Sequence, residues 1–77
     1  MKVKYQIMVE NGFDSEDNHP TYKTVKTMKG ERNEQNAIAF TYDERNMRRY
    51  GYMTLQRIGE NGDVSVWNDE DGIWVGM

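Results

Sequence analysis

His19 is the only histidine, and it stands next to last in the polar stretch Glu10-Asn11-Gly12-Phe13-Asp14-Ser15-Glu16-Asp17-Asn18-His19-Pro20. General-base work needs an orienting partner and a nucleophile or water held in a pocket. The two serines, Ser15 and Ser65, lack the flanking glycines of a nucleophile elbow. His19 therefore reads as a loop residue, and no catalytic group is assigned. Two oxygen-rich clusters invite a metal reading: Asp14, Glu16, Asp17 and Asn18, and then Asn68, Asp69, Glu70 and Asp71 before Gly72. Neither has alternating ligands followed by the distant bidentate glutamate of a calcium loop. Both are expected to be solvated turns, with no metal bound. Asn61-Gly62 and Asp71-Gly72 are hairpin-turn pairs that supply positive φ. No phosphate-binding or dinucleotide fingerprint is present, so no cofactor is expected.

The residues better suited to binding are Arg45, Arg48 and Arg49, with Tyr42 and Tyr50 close by. On a helix, Arg45 and Arg49 are one turn apart and share a face. Guanidinium groups among tyrosines can clamp phosphates and stack on bases. They can also grip carboxylates of a protein partner, where Arg and Tyr concentrate at hot spots. The plainer reading is a solvated helix end that favours cations. Trp67 with Asp69, Glu70 and Asp71 forms a second candidate protein-binding surface. Val64 and Val66 share one strand face, which turns Trp67 to the other. If Ile73 and Val75 face the core, Trp74 also points outward. Two exposed tryptophans would mark a contact site; buried, they would complete a small core.

These residues must be positioned by a small set of elements. Val3, Tyr5, Ile7 and Val9 alternate with Lys2, Lys4, Gln6 and Met8, the pattern of a half-buried strand. A polar loop is expected over residues 10–20, with Phe13 either pinning it to the core or exposed at a contact surface. Thr21 to Met28 predicts a second strand, with Tyr22, Thr24, Lys26 and Met28 on one face and Lys23, Val25 and Thr27 on the other. Lysines on both faces suit an edge strand. Glu31 to Arg49 predicts a helix capped by Asn33 and stopped by Gly51. Its apolar stripe, Ala37, Phe40, Glu44 and Met47, is interrupted by Glu44. The competing reading is a hairpin over Ala37 to Tyr42 that turns at Asp43-Glu44-Arg45-Asn46. Tyr50 to Ile58, Val64 to Trp67 and Ile73 to Val75 then form a three-stranded meander. The expected fold is α+β, an antiparallel sheet in ββαβββ order with one helix packed on a face. The alternative is a small all-β domain.

Size and charge narrow the function classes. The 77 residues make one domain, and there is no cysteine to form a disulfide or thiolate metal site. No apolar run is long enough to span a bilayer, and the N-terminus lacks signal-peptide character, so a cytoplasmic protein with no membrane partner is expected. The net charge is −3, divided unevenly along the chain. Residues 1–20 hold two basic against four acidic groups, residues 21–49 seven against four, and residues 50–77 one against five. A net-negative domain is a poor general nucleic-acid binder, which leaves a protein partner preferred over nucleic acid on the basic middle segment. An exposed strand edge would also permit a homodimer.

The two ends of the chain resemble small phage-encoded anti-CRISPR proteins, in particular the layout of a type I-F inhibitor. The first match is Met1-Lys2-Val3-Lys4-Tyr5-Gln6-Ile7. The second is Met53 to Ile58, Asn61-Gly62, Val64 to Trp67, Glu70-Asp71-Gly72 and Trp74-Val75. The middle of the chain departs from that layout. The resemblance implies a non-enzymatic inhibitor that binds a CRISPR-Cas effector and blocks DNA recognition or cleavage. It carries no catalytic motif, so it assigns no site residue.

Overall fold

The computed structural model describes residues 3–76. Five strands form one antiparallel sheet: β1 (Lys4–Asp14), β2 (His19–Lys29), β3 (Met53–Ile58), β4 (Val64–Asn68) and β5 (Ile73–Gly76). Their spatial order is β2-β1-β3-β4-β5. Between β2 and β3 the chain makes a 3-10 turn (Glu31–Asn33) and two helices, α1 (Glu34–Tyr42) and α2 (Glu44–Tyr50). The fold is α+β, as the strand and helix patterns predict; the all-β alternative and the hairpin over 37–42 are excluded. The order differs from ββαβββ in that the expected single helix is three short pieces.

The core follows from the period-two pattern of the first strand. Val3, Tyr5, Ile7 and Val9 are all buried and pack with Ala37, Met53 and Leu55. Register explains the grouping: Ile7 lies opposite Leu55 and Val9 opposite Met53. These residues share one sheet face, and α1 lies over β1 and β3 on that face. Val25, Met28, Ile38, Phe40 and Tyr50 pack around the edge of this cluster.

The long hairpin corrects the reading of residues 10–20. Pairing of β1 with β2 runs out to Asp14↔His19, so only Ser15 to Asn18 remain as the turn. Glu10 to Asp14 has no partner on its other side, because β3 pairs with β1 only as far as Val9↔Met53. The distal hairpin is therefore a two-stranded arm beyond the sheet, and Phe13 is exposed on it, not pinned to the core. Asn11-Gly12 does not make the turn; the register shifts there, with Gly12 at φ 149°. A second shift between Ile7 and Met8 explains β2. A bulge inserts one residue and breaks the alternation. Val25 and Met28, three residues apart, thereby reach the same core, which the expected faces had separated. β2 is an edge strand, as its lysines predict, and Lys23, Lys26 and Lys29 are exposed.

The helical region breaks at Asp43, whose backbone is extended. Its Oδ1 accepts from the backbone N–H of Arg45 (2.9 Å) and of Asn46 (3.3 Å), an N-cap for α2. Asn46 Nδ2 donates back to the Phe40 carbonyl at 3.1 Å, stitching the end of α1 to the start of α2. Glu44 thus never enters the apolar stripe. Ala37 and Phe40 pack into the core while Met47 is exposed. Asn33 occupies the N-cap position of α1 without a capping bond. Its Nδ2 donates to the Lys29 carbonyl at 2.7 Å, and its Oδ1 accepts from Asn36 Nδ2 at 3.1 Å. Gly51 ends α2 as expected, at φ 73°, its N–H donating to the Met47 carbonyl at 2.9 Å.

Candidate functional site

β3 and β4 are joined for only part of their length. β3 pairs with β1 from Met53 to Ile58, but with β4 only from Gln56 to Ile58. β4 pairs with β5 from Ser65 to Asn68. Past Gln56↔Val66 the two strands diverge, so Met53 to Leu55 and Trp67 to Asn68 face each other across a gap. The α1–α2 junction closes one side of that gap. The result is a cleft of about 130 Å³. Met53, Leu55 and Trp67 line it from the sheet, Thr41, Tyr42 and Met47 from the helices, and Gly51, Tyr52 and Asp69 from the adjoining loops. The cleft could take four or so waters at about 30 Å³ each, or the end of one long side chain.

The lining is aromatic and soft, with one carboxylate. Trp67 Nε1 donates to the Tyr42 hydroxyl at 3.3 Å, tying β4 to the end of α1. Tyr42 and Met47 are each 52% exposed and Tyr52 is 77% exposed. A shallower hollow shares Tyr52, Trp67 and Asp69 and continues along Asn68 and Glu70. Beneath the cleft, Trp67 packs on the core together with Trp74. Trp74 Nε1 donates to Glu34 Oε1 at 2.8 Å.

The acidic turn that supplies Asp69 is built by its own side chains. Asn68 Oδ1 accepts from the backbone N–H of Glu70 (3.0 Å) and of Asp71 (3.3 Å). Asn68 Nδ2 donates to Asp71 Oδ2 at 3.4 Å, and Gly72 takes φ 66° with its N–H on the Asn68 carbonyl. This Asx turn leaves Asp69 and Glu70 exposed and turns Asp71 back onto Asn68.

Of the residues singled out in the sequence, the cleft joins Tyr42, Trp67 and Asp69, and Glu70 borders the neighbouring hollow. Arg45, Arg48 and Arg49 stand apart on α2, each with a local partner. Arg48 pairs with Glu44 at 2.8 Å, Arg45 Nε lies 3.8 Å from Asp43 Oδ1, and Arg49 sits 5.4 Å over the Tyr50 ring. Arg45, at 91% side-chain exposure, gains little from its pair. Tyr52 is not among the site residues that the sequence suggests, and Met47 enters there only as part of the helix's apolar stripe. Tyr52 was legible: it precedes the inward Met53, so alternation turns it outward.

The structure decides the direction of Trp74, which the sequence left open. Ile73 and Val75 do not face the core; they are 53% and 45% exposed. They lie on the open face of the sheet, with Val75 opposite Val66. Both tryptophans are partly buried on the core face.

The loop around His19 gathers more than the sequence suggested. One ligand atom from each of Asp14, Asp17 and His19 lies within 4.8 Å of the others. The groups already serve the turn: Asp14 Oδ1 accepts from the N–H of Glu16 (3.0 Å), and His19 Nδ1 lies 3.0 Å from the Pro20 carbonyl. His19 Nε2 is 3.7 Å from Asp17, with both side chains more than half exposed.

Fold and cleft together define a small α+β antiparallel-sheet domain whose sheet is split on its helix-covered side. Comparison with protein-family models, curated proteins and solved structures returned no match. Among the described residues, no helix is long and apolar enough to cross a membrane.

Proposed function

We propose that this chain is a non-enzymatic binding protein that docks a protein partner through the cleft at the β3–β4 split. The supporting observation is the concentration of exposed Tyr42, Met47 and Tyr52 around half-buried Trp67. Aromatic residues and Met are enriched at the cores of protein interfaces. Anchors of this kind, set in a preformed hollow, carry most of an interface's binding energy. In its specific form, which rests on the likeness of the chain ends to phage-encoded inhibitors, the partner is a CRISPR-Cas effector and docking blocks DNA targeting. The test is capture by purified effector complexes alongside a target-cleavage assay. Binding lost on Tyr52→Ala supports the cleft as the docking surface. No capture and no inhibition with any effector would sink the specific form.

The second reading is a nucleic-acid-binding domain using the basic middle segment. It is favoured by Lys23, Lys26 and Lys29, which are exposed along one edge strand. It requires affinity that falls steeply with salt. No binding of single- or double-stranded DNA at low salt would eliminate it.

A further inference from the structure

We infer that the cleft recognises a cationic side chain, an arginine or lysine presented by a basic segment of the protein partner. The inference deepens the proposed docking surface and rests on it. Three aromatic residues, Tyr42, Tyr52 and Trp67, border one hollow, and Asp69 completes its wall. Aromatic faces attract cations through their quadrupole, and a cation loses less by desolvation when a carboxylate stands beside it. Met47 adds a polarizable wall suited to the aliphatic stem of such a side chain.

Charge around the mouth favours the same occupant. Asp69 and Glu70 are exposed at the rim and residues 50–77 are strongly acidic. Among the described residues, no arginine or lysine lines the cleft. The cation site is thus not filled from within by the neighbouring helix. An anionic segment, or a nucleic-acid backbone, would meet the rim carboxylates instead.

The test uses the intact chain and capped tripeptides Gly-Arg-Gly, Gly-Lys-Gly and Gly-citrulline-Gly as probes. Citrulline keeps the shape of arginine without its charge. The indole Nε1–H of Trp67 is followed in two-dimensional NMR spectra, with its signal assigned from Trp67→Phe; Trp74 is the internal reference. The expected result is a saturable shift of the Trp67 signal with the arginine peptide, in the millimolar range. Binding should be about tenfold weaker with citrulline and weakened about threefold to tenfold by Asp69→Asn. Tyr52→Ala, at an exposed site, should weaken it similarly while leaving the unfolding midpoint in place. Equal shifts with arginine and citrulline, no shift, or unchanged affinity in Asp69→Asn would overturn the inference. So would a thymidine oligonucleotide that moves the Trp67 signal at low salt. If the cation probes fail while Tyr52→Ala still abolishes partner capture, the cleft docks an uncharged segment: the cation inference falls and the docking surface stands. If Tyr52→Ala leaves capture intact, the docking surface falls as well.

Discussion

Trp67 and Trp74 lie directly opposite each other on β4 and β5, their rings edge-to-face with centroids 5.2 Å apart. Trp74 also meets Tyr5 of β1, at 5.8 Å. In a flat sheet β1 and β5 would be about 14 Å apart, at roughly 4.8 Å per strand spacing. The contact requires long side chains and a sheet coiled around its helix-covered face. Trp74 is thus the clasp that draws the last strand over the core, and its bond to Glu34 fastens α1 as well.

Trp74→Ala should therefore destabilise the domain by about 2–4 kcal/mol, somewhat below the range for a fully buried tryptophan. Glu34→Ala should cost about 1 kcal/mol, since the lost bond is charge-assisted but only part-buried. Urea unfolding followed by circular dichroism measures both. A Trp74→Ala midpoint equal to wild type would contradict the clasp.

Asp43→Ala should cost about 1 kcal/mol by removing the cap of α2. Asp43→Asn, which retains an accepting oxygen, should recover most of it. Hydrogen exchange localises the effect: the amides of Arg45 and Asn46 should lose protection while those of β1 and β3 keep theirs.

Gly51→Ala isolates backbone strain from packing. A Cβ at Gly51 would meet nothing within 4 Å, yet φ 73° with ψ −142° is a conformation that side chains disfavour. The expected loss is about 1–3 kcal/mol, with an unchanged denaturant slope.

Core and cleft should separate cleanly in mutants. Ile7→Ala, at a fully buried position opposite Leu55, should cost about 2–5 kcal/mol. That is a large share of the roughly 4–12 kcal/mol available to a chain of this size. Tyr52→Ala should stay within about 0.5 kcal/mol of wild type, because Tyr52 is largely exposed. Thermal unfolding of the two variants side by side checks the contrast.

Much of this fold is local and so was open to sequence reading. Alternating Val3, Tyr5, Ile7 and Val9 can bury only one face, and Gly51, Gly62 and Gly72 adopt the positive φ their turns demand. The meander over 53–75 follows from those turns. Residues 31–49 were open to two readings: the region is helical, as the helix reading expected, but it breaks at Asp43 into α1 and α2, and the hairpin's turn over 43–46 does not form because Glu44 to Asn46 lie in α2.

The sequence alone determined the C-terminal meander, its two turns and the inward face of β1, because periodicity and turn chemistry act over a few residues; it did not determine the distal hairpin, where Glu10 to Asp14 and His19 to Pro20 are strand and not loop. Tertiary structure decided the rest. In β5, Ile73, Trp74 and Val75 are all apolar, so alternation cannot say which face is buried; pairing with Trp67 does. Val25 reaches the core only through a register shift set by the partner strand. The cleft exists only because β3 and β4 part after Gln56↔Val66, leaving a space that the α1–α2 junction closes with Tyr42 and Met47. No local pattern encodes a gap between strands, because a gap is a property of how separate segments meet.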